Sequence, residues 1–409
     1  MAPTMKSGLH FLIAARECEI GDLEQLALTG ELVGLIGQLV HALQRERGLS
    51  NLFLGSRGTR FAQARDQQLL QCDAAALELR RHFDAMDTQG TAVRNGARLF
   101  GRIATVLQAL DALPALRQEI AVQTVTPPAA TAAFVRLVAG LLQVVFEAAD
   151  SATDPQISRA LVALFNFMQG KEFAGQERAF GGACFAEGHL ESGRAQQWLE
   201  LIESQERCFR IALDFSDAAI QAAWRGAVDT RTQAELERLR RIGCTLRADG
   251  LLDPELAQVW YDCCTQRIDA MRAVEELLAA QLLQLCASRI AKARDELRNH
   301  EAIRDALVRT ASAADTGEPV PNYGPHLERS IIDLVQEQAR RLQQMADELD
   351  TVRASLNERK IIERAKGLLM ATRKLSEADA HKMLRQTAMN QNRKLLDVAQ
   401  SVLALSDYL

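Results

Sequence analysis

Apolar residues recur at intervals of three and four along most of the chain, and no stretch alternates with a period of two for long enough to form a strand. This spacing is typical of amphipathic helices, in which the apolar side chains share one face. The composition agrees, because helix-forming residues are abundant while the chain has only 9 prolines and 5% aromatic residues. The sequence therefore predicts an all-α fold.

Clusters of proline, glycine and small polar residues divide this pattern into segments. We expect helix–helix connections at 124–132, 150–155, 186–193 and 247–255. Residues 30–310 then hold about eight long helices, the number needed for two consecutive four-helix bundles, and long helices can run from one bundle into the other. The densest Pro/Gly stretch, 311–326, is predicted to be a linker.

After the linker the spacing becomes stricter. From Val335 to Leu356, the mostly apolar residues of one helix face follow each other in alternating steps of three and four positions. This spacing is that of the a/d seam of a coiled coil. We predict a coiled-coil helix at 327–355 and a homodimer if the seam joins two chains; the alternative is a helix packed against its own chain. The expected interface residues are Leu342, Met345, Leu349, Val352 and Leu356.

The C-terminal segment differs from the rest of the chain in charge. Between Leu356 and Gln400 there are ten Lys/Arg and five Asp/Glu, a net charge of +5, although the whole chain carries −5. This asymmetry is typical of a polyanion-binding segment joined to an acidic body. Residues 356–409 are expected to form a module of three short helices. Four basic residues near the predicted helix ends are expected to face a phosphate backbone: Lys366, Arg385, Arg393 and Lys394.

The motifs of this segment resemble the ANTAR domain of transcription antiterminators. They are IIERAKGLLM (361–370), EADAHKMLRQTAMN (377–390) and LLDVA (395–399). The resemblance implies binding to paired RNA stem-loops in a nascent transcript, which disfavours a competing terminator hairpin. Hairpin loops offer unstacked bases and phosphates that basic side chains and helix ends can hold. We expect phosphate contacts from Lys366 and Arg385, base contacts from Met389 and Asn390, and further contacts from Arg393 and Lys394.

Three segments of the N-terminal body place arginines within mostly apolar helices. They are HALQRERGLSNLFLGSRG (41–58), GKEFAGQERAFGGACF (170–185) and VWYDCCTQRIDAMRAVEE (259–276). A guanidinium inside a bundle is costly unless it is paired. Either a carboxylate such as Glu46, Glu172 or Glu177 neutralises these arginines, or a bound anion does.

The same segments resemble the nitrate- and nitrite-sensing NIT domain, an all-helical pair of bundles, over about residues 30–300. The resemblance implies that residues 1–310 sense nitrate or nitrite, and that Arg47 and Arg178 bind the anion, with Arg267 as a third candidate. The chemistry is compatible, because a planar guanidinium can donate two parallel hydrogen bonds to a planar oxyanion. A NIT domain followed by an ANTAR domain is the arrangement of nitrate-responsive antiterminators.

We therefore expect a cytoplasmic regulator in which anion binding switches the 356–409 module to RNA and prevents termination of nitrate-assimilation transcripts. The alternative is a helical interaction protein with an RNA-binding tail, controlled by a protein partner or another small ligand. The chain shows no Cys/His ligand spacing, no phosphate-cradling glycine loop and no nucleophile elbow, so we expect no enzyme, no metal and no cofactor besides the nitrate or nitrite ligand. The apolar run at the N-terminus is too short for a membrane span.

Overall fold

The computed structural model describes residues 8–86, 96–188, 194–227, 229–245, 251–315, 324–375, 377–391 and 393–406. Within these ranges it contains twelve α-helices and no β-strand, so the predicted all-α class is confirmed. The helices are α1 (Gly8–Gly55), α2 (Ala62–Ala85), α3 (Gly96–Ala121), α4 (Pro127–Ser151), α5 (Pro155–Glu187), α6 (Arg194–Asp214), α7 (Ala218–Ala227), α8 (Thr230–Thr245), α9 (Leu256–Asp315), α10 (Gly324–Arg373), α11 (Glu377–Asn390) and α12 (Leu395–Ser406).

Local chemistry explains where α5 begins and ends. The Asp154 carboxylate accepts hydrogen bonds from the backbone N–H groups of Gln156 and Ile157, at 2.9 and 3.0 Å, and thereby caps α5. Pro155 occupies the first turn of α5, where a missing N–H costs nothing. Gly188 ends the same helix with a φ of 73°, a conformation that glycine adopts without steric cost. The predicted connections 150–155 and 186–193 therefore coincide with helix boundaries.

The chain divides into two compact units, Met1–Gln336 and Glu337–Leu409. In the first unit, α1 packs against α2 and α4, and α4 packs against α3. α5 packs against α6 and α9, and α8 packs against these same two helices. α1 also packs against α5 and α9, so this 48-residue helix belongs to both groups. α1 begins at Gly8, well before the first helix expected from the sequence.

A tryptophan cluster forms the core of the second group of helices. Trp198 of α6 and Trp260 of α9 are both 0% exposed, and their rings meet edge to face with centroids 5.0 Å apart. Gly181 of α5 lies directly against both rings, because a Cβ placed there would be 2.5 Å from Trp260 and 2.7 Å from Trp198. Close packing at this point fixes α5, which also carries the polar residues of the candidate site.

Among the described residues, three helices are long and apolar enough, by length and composition alone, to cross a membrane: α1, Ala97–Ala121 of α3, and α4. In this structure α1 and α4 pack against each other, and each buries charged side chains, among them Arg47 in α1 and Glu147 in α4. Buried ionic groups of this kind must find partners inside a protein. The partners of those in α1 are described below.

The second unit is built around the end of α10, with α11 and α12. Its core contains Ala365 and Leu369 from α10, Leu384 from α11, and Val398 and Ala399 from α12. The sequence predicted three short helices for this module, but the first of them is not short. It is the C-terminal part of a single 50-residue helix that also carries the predicted seam. No proline follows Pro325 within α10, so the apolar face of the seam continues into the core.

Both ends of the predicted linker 311–326 have helical backbone. α9 continues to Asp315 and α10 begins at Gly324, while residues 316–323 lie outside the described ranges. The side chains of the seam before residue 336 also lie outside them.

Candidate functional site

α1, α5 and α9 bring a buried polar cluster together inside apolar packing. Arg47 of α1 is 1% exposed, and Glu172 and Arg178 of α5 are 2% and 4% exposed. Removing an ion from water costs several kcal/mol, so the partners of each guanidinium determine whether it is stable there.

Arg47 has a carboxylate partner. Its Nη1 donates to Glu172 Oε1 at 2.5 Å and its Nη2 to Glu172 Oε2 at 3.3 Å. The same carboxylate accepts from the amides of Gln44, at 2.8 Å, and Gln176, at 2.9 Å. Gly175 makes room for this pair, because a Cβ there would lie 2.5 Å from Arg47 Nη2. Glu172 thus neutralises Arg47, one of the two possibilities that the sequence left open.

Arg178 has only neutral partners among the described residues. Its Nη1 donates to Thr265 Oγ1 at 3.0 Å and its Nη2 to the backbone carbonyl of Gln44 at 3.2 Å. The guanidinium lies over the ring of Tyr261, 5.1 Å from its centroid. No described Asp or Glu comes within ion-pairing distance of it. Burial lowers the pKa of Arg178, the Tyr261 phenol opposes this shift, and Arg47 lowers the pKa further.

Gly48 keeps the space beside Arg178 open. A Cβ at this position would lie 3.0 Å from Arg178 Nη2 and 3.2 Å from Tyr261 Oη. Any larger side chain at position 48 would press on the guanidinium. The glycine in the motif ERGLSN is therefore explained by close approach of Arg178 to the backbone of α1.

A second group of charges lies beside this cluster. Lys171 is fully buried and forms an ion pair with Glu275, which also accepts from Arg272 Nη1 at 2.8 Å. His41 faces these cations, and its buried Nδ1 has no hydrogen-bond partner among the described residues. Burial, followed by Lys171 and Arg272, lowers the pKa of His41 to about 3. His41 is therefore neutral at physiological pH and adds no charge to this group.

Arg267 belongs to a different cluster. Its Nη1 donates to Gln205 Oε1 at 2.6 Å and lies 4.0 Å from Glu177 Oε2. Arg240 holds that carboxylate in two bonds, Nε to Oε1 at 2.8 Å and Nη2 to Oε2 at 2.7 Å. Burial, and then Arg240, lower the pKa of Arg267 to about 10. The structure thus joins Arg47 and Arg178 through Gln44 and places Arg267 with Glu177.

Sequence reasoning missed the neutral partners of Arg178. Thr265 and Tyr261 lie on α9, more than 80 positions along the chain, and no local pattern connects them to α5. Gln44 lies one turn before Arg47, and its place in the motif HALQRERG was the only available signal. Glu46, a candidate partner for a site arginine, instead accepts from Arg117 Nε and Nη2 at 2.8 and 2.7 Å.

In the second unit, most of the predicted RNA-contacting residues are exposed around the turn between α11 and α12. Met389 is 64% exposed, and Asn390, Arg393 and Lys394 are exposed beside it. Arg393 Nη2 donates to the Asp397 carbonyl at 3.1 Å and to Ser401 Oγ at 3.0 Å, which fixes the guanidinium against α12. An exposed apolar side chain among cations suits both the faces and the phosphates of unstacked nucleotides.

Lys366 differs from the expectation of an open phosphate contact. Its side chain is 9% exposed, and its Nζ lies 2.8 Å from Glu363 Oε1. The burial of Lys366 could have been predicted from the helical spacing, because Ile362, Lys366 and Leu369 lie on one face of α10, directed at the core of the module. Arg385 is partly exposed.

The seam residues of α10 fall into two sets. Val352 and Leu356 are buried, at 1% and 2% exposure. Leu342 is 55% exposed, and Met345 and Leu349 are partly exposed. The exposed set keeps the spacing of three and four that allows a helix to pair with another helix.

The comparisons with known proteins agree with both motif resemblances. A family model described as nitrate and nitrite sensing (NIT) matches residues 38–283, and the ANTAR domain model matches residues 350–403. The chain is 35% identical to the nitrate regulatory protein of Klebsiella oxytoca over 411 residues, which cover 99% of this chain and 97% of that protein. It is similar to the solved structure of the NasR transcription antiterminator, with a TM-score of 0.61 and 32% identity, covering 98% and 99% of the two chains. The chain therefore belongs to the family of NasR-type regulators, in which a nitrate- and nitrite-sensing NIT domain is joined to an ANTAR domain.

Proposed function

We propose that this chain is a nitrate- and nitrite-responsive antitermination regulator in which an anion bound between Arg178 and Arg47 switches the ANTAR module to bind leader-RNA stem-loops. The observation that carries the proposal is the charge of Arg178, which is 4% exposed and has a hydroxyl and a carbonyl, but no carboxylate, as its described partners. A buried cation without a counter-ion favours any small anion that can reach it.

Nitrate suits this site in charge and in shape. Arg47, Glu172 and Arg178 together carry one net positive charge, which a monovalent anion neutralises and a divalent anion would reverse. A planar oxyanion can accept two parallel hydrogen bonds from one guanidinium edge. The longer of the two Arg47–Glu172 contacts, 3.3 Å from Nη2, is the one that an anion between the two arginines would most easily replace.

On the RNA side, we propose contacts from Arg385, Met389, Asn390, Arg393 and Lys394. Lys366 supports this surface from beneath, since its ammonium is directed at Glu363. Antitermination takes place on nascent transcripts, so we place the protein in the cytoplasm. We further propose that two chains pair through Leu342, Met345 and Leu349, which presents two RNA-binding modules to paired stem-loops.

The switch requires that nitrate bind one packing of α1, α5 and α9 more tightly than another. A ligand shifts such an equilibrium only by the ratio of its affinities for the two states. The anion offsets repulsion between Arg47 and Arg178, so it stabilises the state in which the two guanidinium groups are closest.

The proposal is tested by titrating the full-length protein with sodium nitrate in a calorimeter, with sodium chloride at equal ionic strength as the reference. Arg178→Gln should weaken nitrate binding by about 10- to 100-fold, since a hydrogen bond to a charged group contributes about 1.5–3 kcal/mol. Arg136→Gln, an exposed arginine of α4, is the matched control and should bind like the wild type.

The RNA half of the proposal is tested by gel-shift titration of the leader RNA with and without millimolar nitrate. The wild type should bind more tightly with nitrate, and Arg178→Gln should lose that difference. The assignment would be refuted if Arg178→Gln bound nitrate as tightly as the wild type, or if nitrate did not change RNA binding by the wild type.

A further inference from the structure

The described part of the first unit contains a cavity that the nitrate site does not use. It has a volume of about 240 Å³, is formed by α7, α8 and α9, and is lined by Trp224, Arg225, Gln233 and Arg267. No acidic residue is among the described residues that line it. This volume is several times what a four-atom anion such as nitrate requires, so the cavity suits a larger molecule.

Arg267, at the inner end of the cavity, has no carboxylate of its own. It is 8% exposed, and its nearest described acidic atom, Glu177 Oε2, lies 4.0 Å away and is already held by Arg240. Its short hydrogen bond, 2.6 Å, goes to the neutral amide of Gln205. Arg240 also binds Glu237 through Nη1 at 2.8 Å, so both carboxylates of this group are bound by Arg240, and Arg267 has no bidentate carboxylate partner beside the open space.

Arg225, at the outer end, supplies a second cation. It is exposed, and its Nε donates to the Gln221 carbonyl at 3.2 Å, which holds the side chain against α7. No described carboxylate lies within ion-pairing distance of it. Trp224 forms the wall beside these two arginines. Its ring is fixed by Phe167, edge to face at 5.4 Å, and by Phe209 at 4.6 Å.

We propose that this cavity binds a short-chain dicarboxylate, with one carboxylate on Arg267, the other on Arg225 and the carbon chain against Trp224. The two guanidinium groups match two carboxylates, and each can form a bidentate pair. The Trp224 ring provides the apolar contact that an inorganic anion could not use. The Gln233 amide can bind a polar substituent on the chain. The site is separate from Arg178 and does not depend on the nitrate assignment.

The test is a titration of the full-length protein with glutarate, followed by tryptophan fluorescence at constant ionic strength. Trp224 is partly exposed, whereas Trp198 and Trp260 are fully buried, so a ligand in this cavity changes mainly the Trp224 signal. We expect a saturable change with glutarate and one at least tenfold weaker with butyrate, which has the same apolar chain length but a single charge. Arg225→Gln should weaken glutarate binding at least tenfold, because it removes the cation that binds one of the two carboxylates. The variant should fold, since Arg225 is exposed. Arg136→Gln should have no effect.

The proposal would be overturned by the absence of a saturable response to glutarate, by equal affinity for butyrate, or by an unchanged affinity in Arg225→Gln. Competition between nitrate and glutarate for the same fluorescence change would also overturn it, because it would make the cavity a second nitrate site. The Arg178→Gln variant separates the two assignments. It should bind glutarate normally whether or not it still binds nitrate.

Discussion

Two buried arginines that face each other across Gln44 differ in one respect, the presence of a carboxylate. Arg47 forms an ion pair with Glu172, while Arg178 donates hydrogen bonds to a hydroxyl and a carbonyl and lies over an aromatic ring. The pair therefore combines a neutralised cation with an uncompensated one. This imbalance is the property on which the proposed anion site depends.

Replacing Glu172 with Gln should remove the charge balance of Arg47. Breaking one partner of a buried pair leaves an unpaired ion and costs about 3–5 kcal/mol. Nitrate should recover part of this loss, because it binds the folded state and supplies the missing negative charge. Thermal unfolding should show a lower Tm for Glu172→Gln and a larger nitrate-induced increase than in the wild type. Glu119→Gln, an exposed acid of α3, is the control; a Glu172→Gln variant as stable as the wild type would contradict the pairing.

His41 should make stability depend on pH. Its pKa is about 3 in the folded protein, lowered by burial and by neighbouring cations, and about 6.5 when unfolded. The unfolded chain therefore binds the extra proton first, so the folded state loses stability as pH falls below about 6.5. The slope from this group is at most about 1.4 kcal/mol per pH unit. Urea unfolding at pH 7 and pH 5 should show a larger loss for the wild type than for His41→Gln, and parallel losses would rule out this role.

At the scale of helices, the tryptophan cluster restricts what α5 can tolerate. Gly181→Ala would bring a methyl group within 2.5 Å of the Trp260 ring, and overpacking of this kind costs about 1–3 kcal/mol. Gly34→Ala in α1 is the matched control, since nothing lies within 4 Å of its Cβ position, and alanine there should add about 0.5–1 kcal/mol. Chemical denaturation of the two variants should give changes of opposite sign. Equal changes would show that the ring contact at Gly181 does not limit packing.

The exposed part of the α10 seam predicts an oligomeric state. Leu342→Lys should convert a dimer to a monomer, because a charged side chain at the centre of an apolar seam must be desolvated on pairing. Gln343→Lys introduces the same charge one position away from the seam, on an exposed face, and should remain dimeric. Light scattering after size exclusion distinguishes the two. A monomeric wild type, or a dimeric Leu342→Lys variant, would disprove the seam as the interface.

The all-α class and two of the helix–helix connections could be predicted from the sequence, because apolar spacing and Pro/Gly clusters are features of short stretches of chain. The true length of α10 did not follow. The sequence separates a coiled-coil seam from a three-helix module by pattern, yet nothing between Leu356 and Ile361 interrupts the helix. Spacing shows which face is apolar, but only tertiary packing shows whether Val352 is buried by its own chain or left for a partner.

For the whole molecule, the arginines could be predicted as polar residues in apolar helices, but their pairing could not. Arg47, Arg178 and Arg267 all lie in mostly apolar helical segments, and nothing local in the sequence shows which of them has a carboxylate partner. Contacts across more than 80 positions give one of them a carboxylate and join another to Glu177. Those contacts arise from how α1, α5, α6 and α9 pack, and no stretch of sequence contains them.

The proposed switch makes a reciprocal prediction for the full-length protein. If nitrate tightens RNA binding by some factor, saturating leader RNA must tighten nitrate binding by the same factor. Calorimetric titration with nitrate, with and without leader RNA, should therefore return the ratio found by gel shift. An RNA mutated in its loops serves as the control. Unequal ratios would mean that the two binding events are not linked at equilibrium.

Gln44 holds the two arginines of the site in two different ways. Its side-chain amide binds Glu172, whereas its main-chain carbonyl accepts from Arg178. Every amino acid at position 44 supplies that carbonyl, so the hydrogen bond to Arg178 does not depend on which side chain stands there. Saturation mutagenesis of position 44, proline excepted, should therefore affect only the Arg47 half of the site. At this position, the Arg178 half would be affected only by a change that alters the helical path of α1, such as proline.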